Sequence, residues 1–388
     1  MLGVVLSTRE ARATTEIGGL DARSMALAGT GVSYIESGAS VALNPATLDG
    51  VRTFAGTFTI SPLRAVLTTP LDGPNTSVDS AGKVYPVFLV GAAYRLTDRI
   101  VVGAGVFPTI GSGAKYSDTT DHEEVRATLA QIEVAPSVSV RVADGLSVGL
   151  GYRMTYTTQT GHQPAAPGQP STDYSYDGWN WLGVHAGIYY RPIESLHFGF
   201  SYRSRIDTTL SGTTDAHFPT GAMDTESEFN SPHRFKLGAS YTPSKKVLLA
   251  LSLRYSLYSD SSKSIKTTVQ TPFGPVESVY PLDWNNALGA GAGVEVTPER
   301  RIALRAGYSA TQSAVPSSRP SFFATPPGWL HSIHLGAGLR FERVDLDLGA
   351  LYSLASAHID ANRDNPSVTP GDYQLHAMIL SFSVTYHR

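Results

Sequence analysis

The chain of 388 residues contains no cysteine, and only 16% of its residues are charged. The missing cysteines exclude a disulfide scaffold, a thiolate metal site and a cysteine nucleophile. No run approaches the roughly 20 consecutive apolar residues that a spanning helix needs, which excludes a helical membrane protein. A formal net charge of -3 gives no electrostatic case for nucleic acid, so we expect no nucleic-acid partner.

Common signatures of enzymes and cofactor sites are also missing. The chain has neither a P-loop nor an H-E-x-x-H zinc motif, and Gly289–Gly293 is the glycine-lined face of a strand rather than a dinucleotide loop. We therefore expect no enzymatic activity, no cofactor and no metal. A hydrolase built from dispersed serine and histidine stays open as an alternative without positive support.

Residues 1–13 have part of the pattern of an export signal. Leu2–Leu6 is a short apolar run and Ala11-Arg12-Ala13 is a cleavage-like site, but a positively charged region before the run is missing. We interpret residues 1–13 as the remnant of a signal peptide, with Thr14 opening the mature chain. The alternative is an ordinary N-terminal tail.

Apolar residues alternate with small or polar ones over most of the chain from residue 52 onward. In residues 146–156 the apolar positions are Leu146, Val148, Leu150, Tyr152, Met154 and Tyr156, and serine, glycine, arginine and threonine lie between them. Residues 196–203, 302–309 and 333–341 repeat this pattern. A period of two over about ten residues is the weak but repetitive signature of an outer-membrane β-barrel strand.

The strand count supports a closed antiparallel barrel. We predict strands near 52–61, 87–96, 100–109, 125–142, 146–157, 180–191, 196–207, 233–241, 247–257, 286–296, 301–311, 331–341, 344–353 and 375–387. That is about fourteen, an even number as expected of a bacterial barrel. Two- or three-residue turns alternate with long connections rich in Ser, Thr, Pro, Asp and Gly, which we assign to the periplasmic and outer rims. The fold class is therefore all-β: a transmembrane barrel over residues 52–388.

Aromatic residues on the apolar face support the same orientation. Five lie near the short turns and four near the long loops, as two interfacial girdles would: Tyr94, Tyr190, Tyr241, Phe341 and Tyr386, and Tyr156, Tyr202, Tyr255 and Tyr308. Aromatic pairing across the strands of a soluble sandwich is the alternative.

The segment before the first strand, residues 14–51, is the predicted hatch inside the lumen. It combines small residues with the turn Asn44-Pro45-Ala46. Pro45 cannot donate a backbone hydrogen bond and pushes Asn44 away from helical geometry. The Asn44 amide both donates and accepts, which suits it to pinning a hatch against the backbone of the barrel wall.

Residues 18–31 and 38–48, with Asn44-Pro45-Ala46 as the most specific part, resemble the N-terminal hatch of the FadL family. This family comprises outer-membrane transporters of long-chain fatty acids and other hydrophobic compounds, and the resemblance covers nearly the whole chain. It implies a passive transporter in a Gram-negative outer membrane. Ligand would be captured at outer loops, pass to an inner pocket and leave laterally at a kink in the third strand. The expected partners are a hydrophobic small molecule (a fatty acid or hydrocarbon), membrane lipid and lipopolysaccharide, and we expect a monomer.

Two features depart from the family pattern. The chain ends His387-Arg388 rather than on an aromatic residue. The loops also diverge from the family, so the family's substrate cannot be assigned to this chain. A hydrophilic general porin and a structural or adhesive surface barrel therefore stay open as alternatives.

Gly103, Gly105 and Pro108 lie in the third strand, where the resemblance implies a lateral gap. Glycine weakens a strand and proline removes a ladder donor, so a break in pairing is physically reasonable. The alternative is that the glycines relieve crowding against the hatch.

Four arginines fall on the lumen face at similar depth: Arg153, Arg203, Arg254 and Arg305. One or more could bind the carboxylate of an amphipathic substrate, because a guanidinium grips a carboxylate with two hydrogen bonds. The alternative is ion pairing with lumen acids such as Glu133, Glu295, Asp345 and Asp347, or with the hatch.

Apolar residues in or near the long loops are candidates for a capture surface: Phe107, Ile110, Phe218, Phe273, Phe322 and Phe323. Packing of the loops against one another is the alternative. The acidic stretch Asp118–Glu124 could hold Ca²⁺ through oxygen ligands, but it lacks a defined ligand spacing, which favours an exposed acidic loop instead.

Overall fold

The computed structural model describes residues 20–117, 124–164, 171–216, 221–361, 365 and 368–388. The expected signal remnant, Phe218 and all of the acidic stretch except Glu124 lie outside these residues. No helix among the described residues is long and apolar enough to cross a membrane.

Fourteen antiparallel strands form a closed barrel, which confirms the predicted fold class. Their bounds are β1 Phe54–Thr69, β2 Val84–Arg95, β3 Ile100–Tyr116, β4 Val125–Val134 and Ser137–Ala143, β5 Leu146–Gln163, β6 Thr172–Ile193, β7 Leu196–Arg203 and Ile206–Ala216, β8 Gly221–Ser231 and His233–Ser244, β9 Val247–Leu257 and Ser264–Thr271, β10 Gly274–Pro281 and Ala287–Glu299, β11 Ile302–Gln312, β12 Trp329–Arg340, β13 Val344–Ile359 and β14 Gly371–His387. A two-residue strand, Val78–Asp79, adds to the outer end of β1.

The barrel closes where β1 pairs with β14. The register runs from Ala55 opposite His387 to Thr68 opposite Gln374, while the other edge of β1 pairs with β2. Inward-facing hydroxyls join the closing strands through Thr57–Thr385, Thr59–Ser383 and Ser61–Ser381 at 3.2, 2.7 and 2.7 Å. Closure removes the free edges that an open sheet would expose in lipid.

Side chains alternate between the two faces of the wall as the period of two predicted. Leu150, Leu251 and Leu335 are more than half exposed on the outside, whereas their neighbours Ser147, Ser252 and Ser332 are buried inside. Tyr94, Tyr190, Tyr241 and Tyr308 are exposed as well. Apolar side chains outside and small polar ones inside suit a wall between lipid and a filled lumen.

Several strands extend further outward than the sequence predicted. The outer pieces Ile206–Ala216, Gly221–Ser231, Ser264–Thr271 and Gly274–Pro281 lie in stretches that the sequence assigned to long loops. These pieces are rich in threonine, serine and acidic residues, and in the first three of them the apolar side chains, such as Leu210, Phe229 and Val269, are buried on the inward face while polar residues face outward. Above the membrane a strand needs no apolar outer face, which is why the hydrophobic pattern missed them.

Residues 20–51, called the hatch segment below, form short helices rather than strands. Their bounds are α1 Ala22–Ala26, a 3₁₀ turn Gly31–Ser33, α2 Ser40–Leu43 and a second 3₁₀ turn Pro45–Gly50. A further 3₁₀ turn, Tyr258–Asp260, joins the two pieces of β9. The hatch segment packs against inward faces of several strands, including β12, β13 and β14 through α1 and β4 to β6 through Pro45–Gly50.

The ladder between β2 and β3 is incomplete. In the described chain their paired positions run from Arg95 opposite Val101 to Val90 opposite Val106, and the outer halves of the two strands are not paired with each other. From Phe107 outward β3 pairs with β4, with an irregularity between Pro108 and Ile110.

The irregularity in β3 also changes which residues face inward. Gly103, Gly105 and Phe107 face the lumen before it, whereas Ser112, Ala114 and Tyr116 do so after it. One extra residue on one strand flips every later side chain to the other face, because the side-chain period is two.

Candidate functional site: the lumen cavity above the hatch segment

A cavity of about 170 Å³ lies inside the barrel above the hatch segment. Ala28 and Gly29 of the hatch segment form part of its lining, and Phe323 of the connection between β11 and β12 and Leu330 of β12 contribute as well. A cavity of roughly 150 Å³ holds benzene. The space therefore fits one ring-sized apolar group.

The lining of the cavity is divided between an apolar and a polar side. Aliphatic side chains come from β1, β13 and β14: Leu63, Ala65, Leu67, Leu351, Leu375, Ala377 and Ile379. Polar side chains come mostly from β9, β11 and β12: Arg254, Ser256, Ser309, Thr311, Ser332 and His334. Such a division suits a ligand with an apolar body and one polar end.

Asn44 joins the hatch segment to the wall. Its side-chain NH₂ donates to the Val32 carbonyl at 2.9 Å and to the Ile188 carbonyl of β6 at 3.1 Å, while its Oδ1 accepts from the Ala46 amide at 3.0 Å. Pro45 starts the following 3₁₀ turn. A Cβ at Gly187 would overlap Asn44 Oδ1, so glycine is required where the hatch segment touches β6.

The end of the hatch segment is held by charge. Asp49 is buried, and its carboxylate accepts from Arg141 Nε at 3.0 Å and from Ser147 Oγ at 2.9 Å. Ser147 lies in Gly145-Leu146-Ser147-Val148-Gly149, which formally matches the G-x-S-x-G nucleophile pattern. It sits on a strand of a hairpin and donates to Asp49, so the strand-to-helix elbow required for a nucleophile is absent here.

Arg153 and Arg203 share Glu133. Arg153 Nε and Arg203 Nη2 both contact Glu133 Oε2, at 2.8 and 2.5 Å, and all three side chains are buried. Arg203 also donates to the Ala42 carbonyl of the hatch segment at 3.2 Å and lies over the Phe107 ring at 5.7 Å. Both residues therefore pair with a lumen acid, as the predicted alternative has it, and Arg203 also contacts the hatch segment.

Arg305 belongs to a second buried network. It contacts Glu295 at 2.5 Å and Asp347 at 2.8 Å, and Glu295 in turn receives two hydrogen bonds from Arg23 of the hatch segment, at 2.9 and 2.8 Å. Arg340 also reaches Asp347, at 2.9 Å. This network ties α1 to the wall, and it engages Arg305 with acids of the protein.

Arg254 is placed differently from the other three predicted arginines. It is half-buried, lines the lumen cavity over Gly29, and donates to Thr311 Oγ1 at 3.4 Å. Of the four, it is the one that the structure brings to the boundary between the polar and apolar sides of the cavity.

Gly103 and Gly105 face the hatch segment directly. A Cβ at Gly103 would lie 3.0 Å from Val41 Cγ1, and one at Gly105 would lie 2.5 Å from Val41 Cγ2. The expected crowding against the hatch is therefore present. Pro108 lies at the irregularity of β3, just beyond the last pair of the β2–β3 ladder, so both readings of these residues have a structural basis.

The residues predicted to capture ligand do not form one surface. Phe107 and Ile110 are buried within the barrel rather than exposed in outer loops, which corrects their expected position. Phe273 is 97% exposed at an outer turn, whereas Phe323 is 2% exposed and packs at the barrel mouth. Of the residues predicted to capture ligand, Phe322 and Phe323 line one shared cavity.

Phe322 and Phe323 line a second cavity, the outer groove, of about 260 Å³. Its other apolar and aromatic lining residues are Tyr280, Pro281, Leu282, Trp284, Val368 and Tyr373, and the Phe322 ring stacks on Tyr373 with centroids 6.0 Å apart. The sequence analysis did not single out Trp284 and Tyr373. A signal was available, because each of three connections between predicted strands contains an aromatic residue: Trp284, Phe322 and Tyr373. No cluster of three or more His, Asp or Glu side chains in the described part of the chain is arranged to hold a metal ion.

We expect the buried Asp21 to make the docking of the hatch segment depend on pH. Its carboxylate caps α1 by accepting from the Ser24 amide at 2.8 Å, yet burial, and then the nearby Asp347, raise its pKa to about 6. A raised pKa means that the docked form binds the proton more tightly, so docking is strongest at low pH and weakens as the pH rises through about 6. From the reference value of 3.8 the shift corresponds to about 2–3 kcal/mol.

Asp21→Asn keeps a good helix cap and removes the ionisation. We expect this variant to lose the pH dependence and, at pH 7.5, to protect the hatch amides from hydrogen exchange more strongly than the parent chain. The ratio of exchange rates between variant and parent at each pH cancels the intrinsic effect of pH. Asp98→Asn, in a turn between β2 and β3, is the control; equal slopes for Asp21→Asn and the parent would contradict the assignment.

Comparison with known families gives one match over nearly the full length. The family described as "Outer membrane protein transport protein (OMPP1/FadL/TodX)" matches residues 7–387. Among curated proteins, the chain is 22% identical over 297 residues to outer membrane protein P1 of Haemophilus influenzae. That alignment spans 66% of this chain and 63% of the relative.

Two solved structures show the same fold at low identity. A FadL homologue of Pseudomonas aeruginosa superposes with a TM-score of 0.77 at 16% identity, covering 97% of this chain and 99% of that one. The Ralstonia pickettii toluene transporter TbuX gives 0.76 at 15% identity, covering 98% and 99%. At such identities the likeness shows the fold alone.

Proposed function

Because the chain belongs to the OMPP1/FadL/TodX family of outer-membrane transport proteins, we propose that it takes up hydrophobic small molecules that carry an acidic group. The protein resides in the outer membrane of a Gram-negative bacterium. Structural relatives include a toluene transporter and a channel for monoaromatic hydrocarbons, and a FadL homologue shares the fold. They support a hydrophobic cargo without deciding its class.

The divided lining of the lumen cavity is the observation that carries this proposal. Leucines and Ile379 on one side exclude water from an apolar body, which is worth roughly 0.8 kcal/mol per buried CH₂. Arg254 on the other side offers a guanidinium to a carboxylate. A long-chain fatty acid exceeds a 170 Å³ space unless the surroundings move. A carboxylate on a ring or short chain fits both sides.

The proposed route begins at the outer groove and leads through the lumen cavity to the wall. Phe322 and Phe323 are the capture residues that the structure favours, and Phe323 lines both spaces. Release occurs laterally between β2 and β3, where the ladder ends at Val90 and Val106. The substrate's own gradient drives transport, and no energy source is needed.

The same proposal covers how the chain divides into hatch and barrel and what surrounds the barrel in the membrane. Residues 14–51 act as the hatch and residues 52–388 as the barrel, which works as a monomer with membrane lipid and lipopolysaccharide around its outer face. Several contacts hold the hatch segment in the lumen: the Asn44 hydrogen bonds, the wall glycines that it approaches closely, and the ion pairs. These contacts argue against an open hydrophilic pore.

Arg254→Met tests the proposed ligand class. We expect it to weaken binding of 4-phenylbutanoate about 10- to 100-fold, the worth of a charge-assisted hydrogen bond, and to leave binding of butylbenzene within about twofold. The two probes share a carbon skeleton and differ in the carboxylate. Calorimetry on the purified protein in detergent measures both affinities.

Arg205→Met is the matched control, because Arg205 lies outside the lumen cavity and pairs with Asp207. Equal affinity of the parent chain for both probes would remove the acidic group from the proposal. Failure of the parent to bind either probe would overturn the proposed cargo altogether.

A further inference from the structure

The outer groove and the lumen cavity are separated by a short piece of chain. Residues 313–328, which join β11 to β12 and are called the mouth loop below, place Phe322 and Phe323 between the two spaces. Phe323 lines both of them, whereas Phe322 lines the outer groove. A molecule passing from one space to the other by this path must displace the Phe323 ring.

Phe323 is held as a stopper in the mouth of the barrel. It is 2% exposed and belongs to an apolar cluster with Leu67 of β1, Ala114 and Tyr116 of β3, and Leu375 of β14. Its ring meets the Tyr116 ring edge-on, with centroids 6.0 Å apart. The hatch segment closes the cavity from below, and this ring closes it from above.

Two side chains of β3 fasten the backbone of the mouth loop. Tyr116 Oη donates to the Phe322 carbonyl at 2.5 Å, and Ser112 Oγ donates to the Phe323 carbonyl at 2.9 Å. Both donors come from the outer half of β3, which the irregularity after Pro108 turns inward and which is not paired with β2. To β3 the mouth loop is therefore fastened by two hydrogen bonds rather than by a continuous ladder, while elsewhere Arg319 pairs with Asp283 and Asn365 donates to the Ser318 carbonyl.

The base of the mouth loop is closed separately from its tip. Ser313 donates its amide to the Gly328 carbonyl at 2.8 Å and its hydroxyl to the Thr325 carbonyl at 3.0 Å. Pro326 and Pro327 restrict the chain beside this neck. A loop whose ends are tied together can swing as a unit once its tip is released.

We propose that the mouth loop is the gate of the lumen cavity, with Phe323 as the stopper and Tyr116 and Ser112 as its latch. The inference rests on the proposed function, because it concerns passage of the ligand into the same cavity. Breaking the latch raises the population of the open form, which speeds entry and exit equally and leaves the affinity unchanged. Tyr116 does not line the cavity, so its hydroxyl can be removed without touching the ligand.

Accessibility of the cavity can be measured without any ligand. The chain has no cysteine, so Ser353→Cys introduces a unique thiol at a buried position in the cavity lining. We expect Tyr116→Phe in this background to speed its modification by a small methanethiosulfonate reagent about fivefold, since a typical hydrogen bond is worth about that factor. Ser112→Ala is the second variant, with the same direction of change. A folded barrel is confirmed by the heat-dependent shift of its gel mobility.

Tyr352→Phe is the matched control. Tyr352 is exposed on the outer face, and its hydroxyl is hydrogen-bonded to His376 Nδ1 at 2.8 Å, so the change removes one such bond away from the mouth. Its labelling rate should equal that of the parent. Unchanged labelling in both Tyr116→Phe and Ser112→Ala would overturn the gate, whatever the protein binds.

A second measurement relates the gate to the ligand. Fluorine NMR exchange with 4-(4-fluorophenyl)butanoate gives the dissociation rate and the affinity together. We expect Tyr116→Phe to raise both rate constants about fivefold and to keep the dissociation constant within about twofold. A changed affinity with an unchanged association rate would show a merely structural role. Accelerated labelling in a protein that does not bind the probe would leave the gate standing and remove the proposed cargo.

Discussion

A barrel with alanine at both Gly149 and Gly187 is expected to admit sugars much faster than the parent chain. The added Cβ atoms would overlap the backbone around Pro45 and Ala46 at one site and Asn44 Oδ1 at the other. Overpacking costs about 1–3 kcal/mol at each site, which raises the undocked population of the hatch segment by roughly 30-fold or more. Swelling of liposomes in arabinose or a larger sugar measures the effect.

Gly56→Ala is the control for this experiment. Gly56 lies in β1, and the nearest heavy atom to an added Cβ there is 3.4 Å away on the Phe54 ring, an ordinary contact. Swelling should match that of the parent. Unchanged swelling in the double variant would show that the hatch segment does not close the lumen. Rapid swelling of the parent itself would favour the hydrophilic porin.

Glu133→Gln is expected to lower the free energy of unfolding by about 3–5 kcal/mol. Glu133 is the acid shared by Arg153 and Arg203, and the substitution leaves two buried guanidinium groups facing each other without it. Removing one partner from a buried ion pair is costly because an uncompensated charge stays behind. Guanidinium unfolding in lipid vesicles, followed by tryptophan fluorescence, measures the loss.

The triple variant Glu133→Leu, Arg153→Met, Arg203→Met separates charge imbalance from loss of packing. Replacing a whole buried ionic group by apolar residues is often neutral, so this variant should recover most of the stability. Glu277→Gln breaks an exposed pair with Lys266 and should leave the unfolding midpoint unchanged. A triple variant as unstable as Glu133→Gln would assign the loss to packing instead.

The sequence was most predictive where apolar and polar residues alternate along a strand. Leu150, Leu251 and Leu335 face outward and Ser147, Ser252 and Ser332 inward because alternation along a strand is a local property of its geometry. The turn at Asn44 and Pro45 was likewise readable, since proline restricts its own backbone and that of its neighbour. The outer extensions of β7 to β10 were not predicted, because they lack the apolar outward face of a strand in lipid.

The roles of the four arginines could not be separated by sequence. The sequence predicts inward positions at similar depth for all four, yet Arg153, Arg203 and Arg305 meet carboxylates while Arg254 lines the cavity. Their partners lie on strands ten or more residues away along the chain, and in the hatch segment. The depth of a residue follows from its own strand, whereas its partner depends on how neighbouring strands are staggered.

By itself, the order of residues determined a lipid-facing barrel of fourteen strands and predicted a hatch before it, because alternation and turn chemistry act over a few neighbouring positions. Only the folded barrel decided where the cavity lies and what closes it. A single extra residue near Pro108 turns Ser112 and Tyr116 inward, and barrel closure brings residues 322 and 323 to them from more than 200 positions away. The residues around Pro108 predicted a break in pairing, but they did not predict the change of face or that contact, since a change of face has no composition of its own.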